Sequence, residues 1–285
     1  MTSNENLVHQ PLLTYAFNQM RFKGTYFLTR FVVKLDKQSN PFWEVSLSDV
    51  SGSLTLYCRD QSCVIGRIQP ESLVHIEAQV DTRGVLPYFR CKLIQPCSQP
   101  IGSFTYLSQL PSARCAKPDA LMDMYTLARS IKHPLLVSFL TKALLQPDVG
   151  LRFIQCPASL NHHHNYAGGL LEHSVEIARQ LANERTESDD NRDLAIVAAL
   201  LHDIGKTQTL TPKLSRTSVG SLVDHNDLTL ELCAAALSEL SKHHAGFANH
   251  LRHVWTCATP GARYGFKPKS RIARLLQLYD RMSAA

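Results

Sequence analysis

The sequence predicts a multidomain β plus α protein, with a small N-terminal β-barrel followed by an all-α helical bundle. Three features carry this. Short β-branched and aromatic runs, broken by Asp, Asn, Ser and Gly, fill residues 21–96. A Pro- and Ser-rich stretch without periodicity occupies 97–118 and reads as a linker. From 119 to 285 apolar residues recur at helical spacing. A chain of 285 residues is long enough for two cores. Its 44% hydrophobic and 19% charged content is that of a folded globular protein and excludes disorder.

Residues 1–20 form an N-terminal extension in which 12–17 reads as a short helix or strand packed on the residues after it. The strand runs are 26–35, 42–49, 53–58, 73–80 and 86–94, and Val50-Ser51-Gly52-Ser53 is the hairpin turn between the second and third. Five strands within about 70 residues make a small closed barrel of the OB type. The segment Leu47-Ser48-Asp49-Val50-Ser51-Gly52-Ser53-Leu54 also resembles OB domains of the nucleic-acid-binding class. Such barrels hold single strands by stacking bases on exposed aromatics beside basic side chains. The candidates are Trp43, Tyr57, Tyr88 and Phe89, with Arg59, Arg83, Arg90 and Lys92. Half of a barrel's strand positions face its core, and alternation alone does not say which face is wet.

In the helical domain Asp119 reads as an N-cap before 120–128, and Pro134 opens the next helix. The apolar run 194–199 leads into Leu200-Leu201-His202-Asp203-Ile204-Gly205-Lys206, where Gly205 reads as the helix stop. A His and an Asp at the end of a buried helix cost on the order of several kcal/mol unless they are hydrogen-bonded or bound to a metal. His173 lies on the stripe Leu170, His173, Ile177, Leu181, and Asp280 lies on Ile272, Leu276, Asp280, so helical spacing turns both inward. Three helices would then aim ligand atoms at one point. Two imidazoles and two carboxylates suit Mn²⁺, Fe²⁺, Zn²⁺, Ni²⁺ or a partly hydrated Mg²⁺. No thiolate is implied, because the eight cysteines fall at no C-x-x-C spacing and read as free thiols.

His173, then His202-Asp203, then Asp280 follow the H…HD…D order, and in this the chain is similar to HD-domain metal-dependent phosphohydrolases. The lead-in Cys156-Pro157-Ala158-Ser159-Leu160-Asn161-His162-His163-His164-Asn165-Tyr166-Ala167-Gly168-Gly169-Leu170-Leu171-Glu172-His173 resembles YhaM-type 3′–5′ exoribonucleases, which carry an OB-fold domain in front. The resemblance covers most of the chain and is most specific from Pro157 to Lys206. It implies a divalent ion, manganese first, with His173, His202, Asp203 and Asp280 as ligands and Asp203 placed to bridge to a second ion. His225, where a helix begins before 228–232, matches the additional ligand of HD proteins that hold two metals, and His253 is a further candidate. The family's paired His-His-Gly is replaced here by Cys257-Ala258-Thr259-Pro260-Gly261, and the chain stops five residues after Asp280. One metal site is therefore expected, and a second is left open.

The function implied is phosphodiester hydrolysis, as a 3′–5′ exonuclease on single-stranded nucleic acid, RNA favoured over DNA, bound by the OB domain. Asp203 would orient the attack, Lys206 would neutralise charge on the phosphate, and His163 or His164 would donate to the leaving oxygen. Lys206 reads equally as a solvated lysine after a helix cap, and at least one of His162, His163 and His164 as simply exposed. Two other functions fit the sequence. One is a nucleotide or cyclic-dinucleotide phosphohydrolase. The other is a non-catalytic single-strand-binding accessory protein of a mobile element, against which four buried polar groups count. A formal charge of +6 and pI near 8.9 mildly favour polyanionic partners. Without a run of about 18 apolar residues or a signal-like start, no membrane partner and a cytoplasmic location are expected, and self-association is compatible. Residues 207–222, polar and threonine-rich, read as a surface loop beside the metal mouth.

Overall fold

The computed structural model describes residues 7–100, 102–185, 188–259 and 261–283; residues 1–6 of the N-terminal extension, Pro260 and the last two residues lie outside these. The chain divides into two compact units, Met1–Arg114 and Cys115–Ala285. In the first, strands β1 (Leu7–His9), β2 (Arg21–Leu35), β3 (Pro41–Asp49), β4 (Gly52–Cys58), β5 (Ser72–Asp81) and β6 (Tyr88–Pro96) form one sheet. Its order is β1-β2-β3-β4-β6-β5, and β5 pairs back onto β2, closing a five-stranded OB-like barrel with β1 parallel on the outside of β2. β4 and β6 run parallel, with Tyr57 opposite Arg90.

Alternation fills the barrel. Phe22, Tyr26, Leu28, Val45, Leu47, Leu56, Ile76 and Ile94 point inward and are buried. The turn after β3 is held by Asp49, whose carboxylate accepts from the Ser51, Gly52 and Leu13 amides at 2.8, 3.1 and 2.8 Å. The last bond ties the 3₁₀ turn Leu13–Asn18 of the extension to the barrel.

Phe89 corrects the sequence-based expectation. Successive strand residues face opposite ways, so Tyr88 and Phe89 cannot share a face, and Phe89 is the one inside, fully buried against Phe22. Trp43 is also turned toward the core and partly buried there. Outside lie Phe42, Tyr57 and Tyr88 in a row, with ring centroids 6.0 and 5.7 Å apart, and the Arg59 guanidinium 5.9 Å from the Phe42 ring. Residues up to 114 of the stretch that reads as a linker fall in the first unit, where they form 3₁₀ turns Leu107–Gln109 and Ser112–Arg114 and bury Phe104 and Leu110.

The second unit is helical: α1 (Pro118–Ser130), α2 (Pro134–Leu144), α3 (Val149–Gln155), α4 (Gly169–Asn183), α5 (Asp189–Leu201), α6 (Lys206–Thr209), α7 (His225–His243), α8 (Ala245–Thr256) and α9 (Arg271–Ser283). α1 starts one residue before the expected cap, with Pro118 in the first helical position and Asp119 in the first turn. Residues 207–222 are not an open loop: they include α6, a short hairpin of β7 (Leu210–Thr211) and β8 (Ser215–Arg216), and buried Thr207 and Thr209. Among the described residues no helix is long and apolar enough to cross a membrane.

Candidate metal centre

Three segments bring the site together. α4 carries His173 on its buried stripe with Leu170, Ile177 and Leu181. The tight turn after α5 carries His202 and Asp203, both buried. α9 presents Asp280, half exposed, beyond buried Ile272 and Leu276. Gly205 does not end α5 by a left-handed backbone; its φ is −58° and ψ −24°. Its requirement is space, because a Cβ there would lie 1.9 Å from the His225 carbonyl oxygen. The Gly205 amide donates to Thr229 Oγ1 (3.0 Å), which donates to the His202 carbonyl (3.2 Å), docking the turn against the start of α7.

His173 Nε2 lies 3.2 Å from Asp280 Oδ1 and 3.6 Å from Asp203 Oδ2, and His202 Nε2 lies 3.7 and 3.4 Å from the same two oxygens. Both imidazoles are aimed by their other nitrogen. His202 Nδ1 donates to the Ala199 carbonyl at 2.7 Å. His173 Nδ1 is 3.0 Å from Ser283 Oγ, whose own proton goes to Glu176 Oε2 at 2.8 Å, so the hydroxyl accepts from His173. Each Nε2 is thereby the nitrogen turned toward the carboxylates.

Lys206 Nζ is 2.5 Å from Asp203 Oδ2, and His225 Nε2 is 3.3 Å from Asp203 Oδ1, so Asp203 presents one oxygen to the imidazole pair and the other to His225. Burial opposes ionisation of Asp203, yet His202 and Lys206 beside it hold its carboxyl well below the usual range. Burial also opposes charge on His202, but Asp203 and Asp280 outweigh it and push its imidazole up to about 10. Burial lowers His173.

A divalent cation fits this set. Ligand atoms of His173, His202 and Asp280 lie within 4.8 Å of one another. His202 Nε2 is buried without a hydrogen-bond partner among the described residues, an orphan that a cation would satisfy. The mixed N/O chemistry suits a first-row divalent ion.

The centre floors an open cleft of about 780 Å³ whose walls include His163, His225, Trp255 and Gln277. His162 and His163 are exposed on this wall. His164 is turned into a network: its Nδ1 is 2.9 Å from the Tyr166 hydroxyl, which donates to Glu172, and its Nε2 is 3.2 Å from Ser283 Oγ. It has a positive φ of 56°, and its carbonyl packs where a Cβ on Gly169 would lie. His253 is not brought to the centre; its Nε2 accepts from the Lys269 amide at 2.9 Å. Sequence reading missed Ser283, although its spacing of three from Asp280 on one helix face was available.

Residues 170–285 match the HD domain family, and this part of the chain is an HD domain. HD domains depend on a metal, in keeping with the His/Asp set described. The chain is 38% identical over 102 residues to the dihydroneopterin 2′,3′-cyclic phosphate phosphodiesterase of Methanocaldococcus jannaschii, covering 33% of this chain and 39% of that protein. It is 30% identical over 161 residues to the 3′–5′ exoribonuclease YhaM of Listeria monocytogenes serotype 4b, covering 51% and 48%. Against the YhaM of Oceanobacillus iheyensis it is 25% identical over 262 residues, covering 86% and 78%. The chain thus spans less than half the length of the first two of these curated relatives.

Proposed function

We propose that the protein is a metal-dependent phosphodiesterase acting on single-stranded nucleic acid, RNA first, as a 3′–5′ exonuclease. The observation that carries this reading is the convergence of His173, His202, Asp203 and Asp280 on the floor of an open cleft. A divalent ion there, manganese by preference, would supply a Lewis acid and lower the pKa of a water. Lys206 keeps Asp203 ionised and leaves a positive charge beside the incoming phosphate. His163, exposed on the wall, is the better donor to the leaving oxygen, since His164 is engaged by Tyr166 and Ser283. A strand bound to the barrel would use the outward row of Phe42, Tyr57 and Tyr88 with Arg59 and Arg90. The YhaM relatives support the exonuclease reading by name. A location in the cytoplasm follows from the same reading.

The test is metal content by elemental analysis of the native protein and of Asp203→Ala, followed by digestion of end-labelled single strands. About one or two ions per native chain, lost in the variant, and shortening of RNA from its 3′ end are the expected results. Metal-loaded protein that leaves RNA, DNA and bis(4-nitrophenyl) phosphate all intact overturns the reading. The match to a cyclic phosphate phosphodiesterase favours one alternative, a small phosphorylated nucleoside as substrate. Turnover of a 2′,3′-cyclic mononucleotide with none of an oligomer selects it.

A further inference from the structure

The positive charge of this chain is concentrated in one stretch. Between Glu239 and Asp280 there is no carboxylate, while Lys242, Arg252, Arg263, Lys267, Lys269, Arg271 and Arg274 all fall there. Outside residues 240–279 the chain has 23 Lys and Arg against 24 Asp and Glu, so the formal excess of +6 belongs to this stretch alone. Its densest part is the segment 261–271, which runs from beyond α8 to the first residue of α9 and in which Arg263, Lys267, Lys269 and Arg271 are interspersed with Tyr264 and Phe266. Arg271 is paired with Glu184, but among the described residues Arg263, Lys267 and Lys269 are in no ion pair. Two of them lie against the rings instead, Arg263 5.3 Å from the Tyr264 centroid and Lys269 5.9 Å from that of Phe266.

The two rings stand in water, Tyr264 78% and Phe266 76% exposed. A folded chain gains by burying such rings, and here neither is covered by the rest of the unit. The backbone below them is fastened. The Ala258 amide donates to the Phe266 carbonyl at 2.8 Å, Gly265 has φ +100° and sits so close that a Cβ on it would lie 3.0 Å from that of Ala258, and the Lys269 amide donates to His253 Nε2. The fastening points adjoin the metal-centre cleft: Cys257 and Thr259 line it on one side of the segment, and Gln277, which donates to the Cys257 and Ala258 carbonyls, on the other. Exposed rings beside cations that are in no ion pair, in a run of sequence without a carboxylate and bordering the cleft of the candidate metal centre, are the chemistry that holds unpaired bases and their phosphates.

We propose that the segment 261–271 is a single-strand binding platform of the HD domain itself, with Tyr264 and Phe266 stacking bases and Arg263, Lys267 and Lys269 neutralising phosphates of the strand that enters the cleft. This rests on the single-strand reading above. It adds a second docking element, distinct from the barrel's aromatic row.

The experiment uses the full-length protein, a chelator to prevent hydrolysis, and short fluorescein-labelled oligouridylate and oligothymidylate read by anisotropy across a salt series. Tyr264→Ala with Phe266→Ala should weaken binding by at least about thirtyfold, given the strength of base–aromatic stacking at two rings. Lys267→Ala with Lys269→Ala should reduce the slope of log affinity against log salt by about 1.4, or about 0.7 for each phosphate no longer neutralised. Photo-cross-linking of a 4-thiouridine strand to the native protein should label Tyr264 or Phe266. Circular dichroism melts identical to the native protein establish that both variants are folded. Native-like binding by both folded variants, or cross-links confined to the barrel, overturns this platform and leaves the single-strand reading standing. A native protein that binds neither oligonucleotide, including one that sediments with phosphatidylserine vesicles instead, overturns both.

Discussion

Ser283 Oγ sits where one hydroxyl settles the orientation of a candidate metal ligand. It accepts from His173 Nδ1 and passes its own proton to Glu176, so the imidazole keeps Nε2 for the centre. Ser283→Ala is expected to lower Mn²⁺ affinity about 10- to 100-fold, the usual cost of losing such a supporting bond, and Ser283→Thr to restore it. Titration calorimetry checks this, and His253→Ala in the same assay should match the native protein, because His253 is engaged by the Lys269 amide. Unchanged affinity in Ser283→Ala would remove Ser283 from the account. The convergence of the four central residues was legible in the sequence, for His202 and Asp203 because their types are costly to bury and for His173 and Asp280 because their helical phase points inward. Ser283 was not, since a serine near a helix end has many uses. The direction of His253, a further candidate beside the resemblance, was not legible, since its turn toward the Lys269 amide leaves no local pattern.

At the level of elements, the barrel was legible from alternation and turn residues, yet its wet face was not. Tyr88 and Phe89 are adjacent, and only the closure of β6 against β4 and β5 decides which enters the core. Phe89→Ala should therefore cost the barrel about 3–5 kcal/mol in denaturant unfolding. Tyr57→Ala, on the outer face, should cost about 1 kcal/mol or less, the scale of a cross-strand contact. A larger loss for Tyr57→Ala than for Phe89→Ala would mean that the inside and outside of β4 and β6 have been exchanged, and equal losses that Tyr57 is as buried as Phe89. Gly205 shows a different kind of partial legibility. A glycine was expected after the His-Asp pair, but for its backbone freedom, whereas it is there because α7 comes too close for any side chain. Close approach between segments far apart in sequence leaves no local signature.

Over the whole molecule, the two compact units each have their own buried core, and the candidate metal ligands all belong to the second. Metal at about 100 times its dissociation constant should stabilise that unit by about 2.7 kcal/mol. Calorimetry with Mn²⁺ and then with chelator should show the helical transition moving while the barrel's stays in place. A shift in both would mean that the units unfold as one. The two-part architecture was readable because strand-type and helix-type spacing fill different halves of the chain, and the packing of residues 103–114 was not, because non-periodic backbone carries no pattern to read.

The carboxylate-free stretch from 240 to 279 has a consequence at the bench. A cation exchanger responds to locally concentrated charge as well as to average charge, so with Arg263, Lys267 and Lys269 close together in one segment this protein should elute later from a sulfonate column than its pI of about 8.9 would suggest. If the single-strand proposal holds, that stretch will also carry host nucleic acid through purification at low salt. The ratio of absorbance at 260 to 280 nm, followed through a high-salt wash, will show when the preparation is clean enough for any affinity measured on it to belong to the protein.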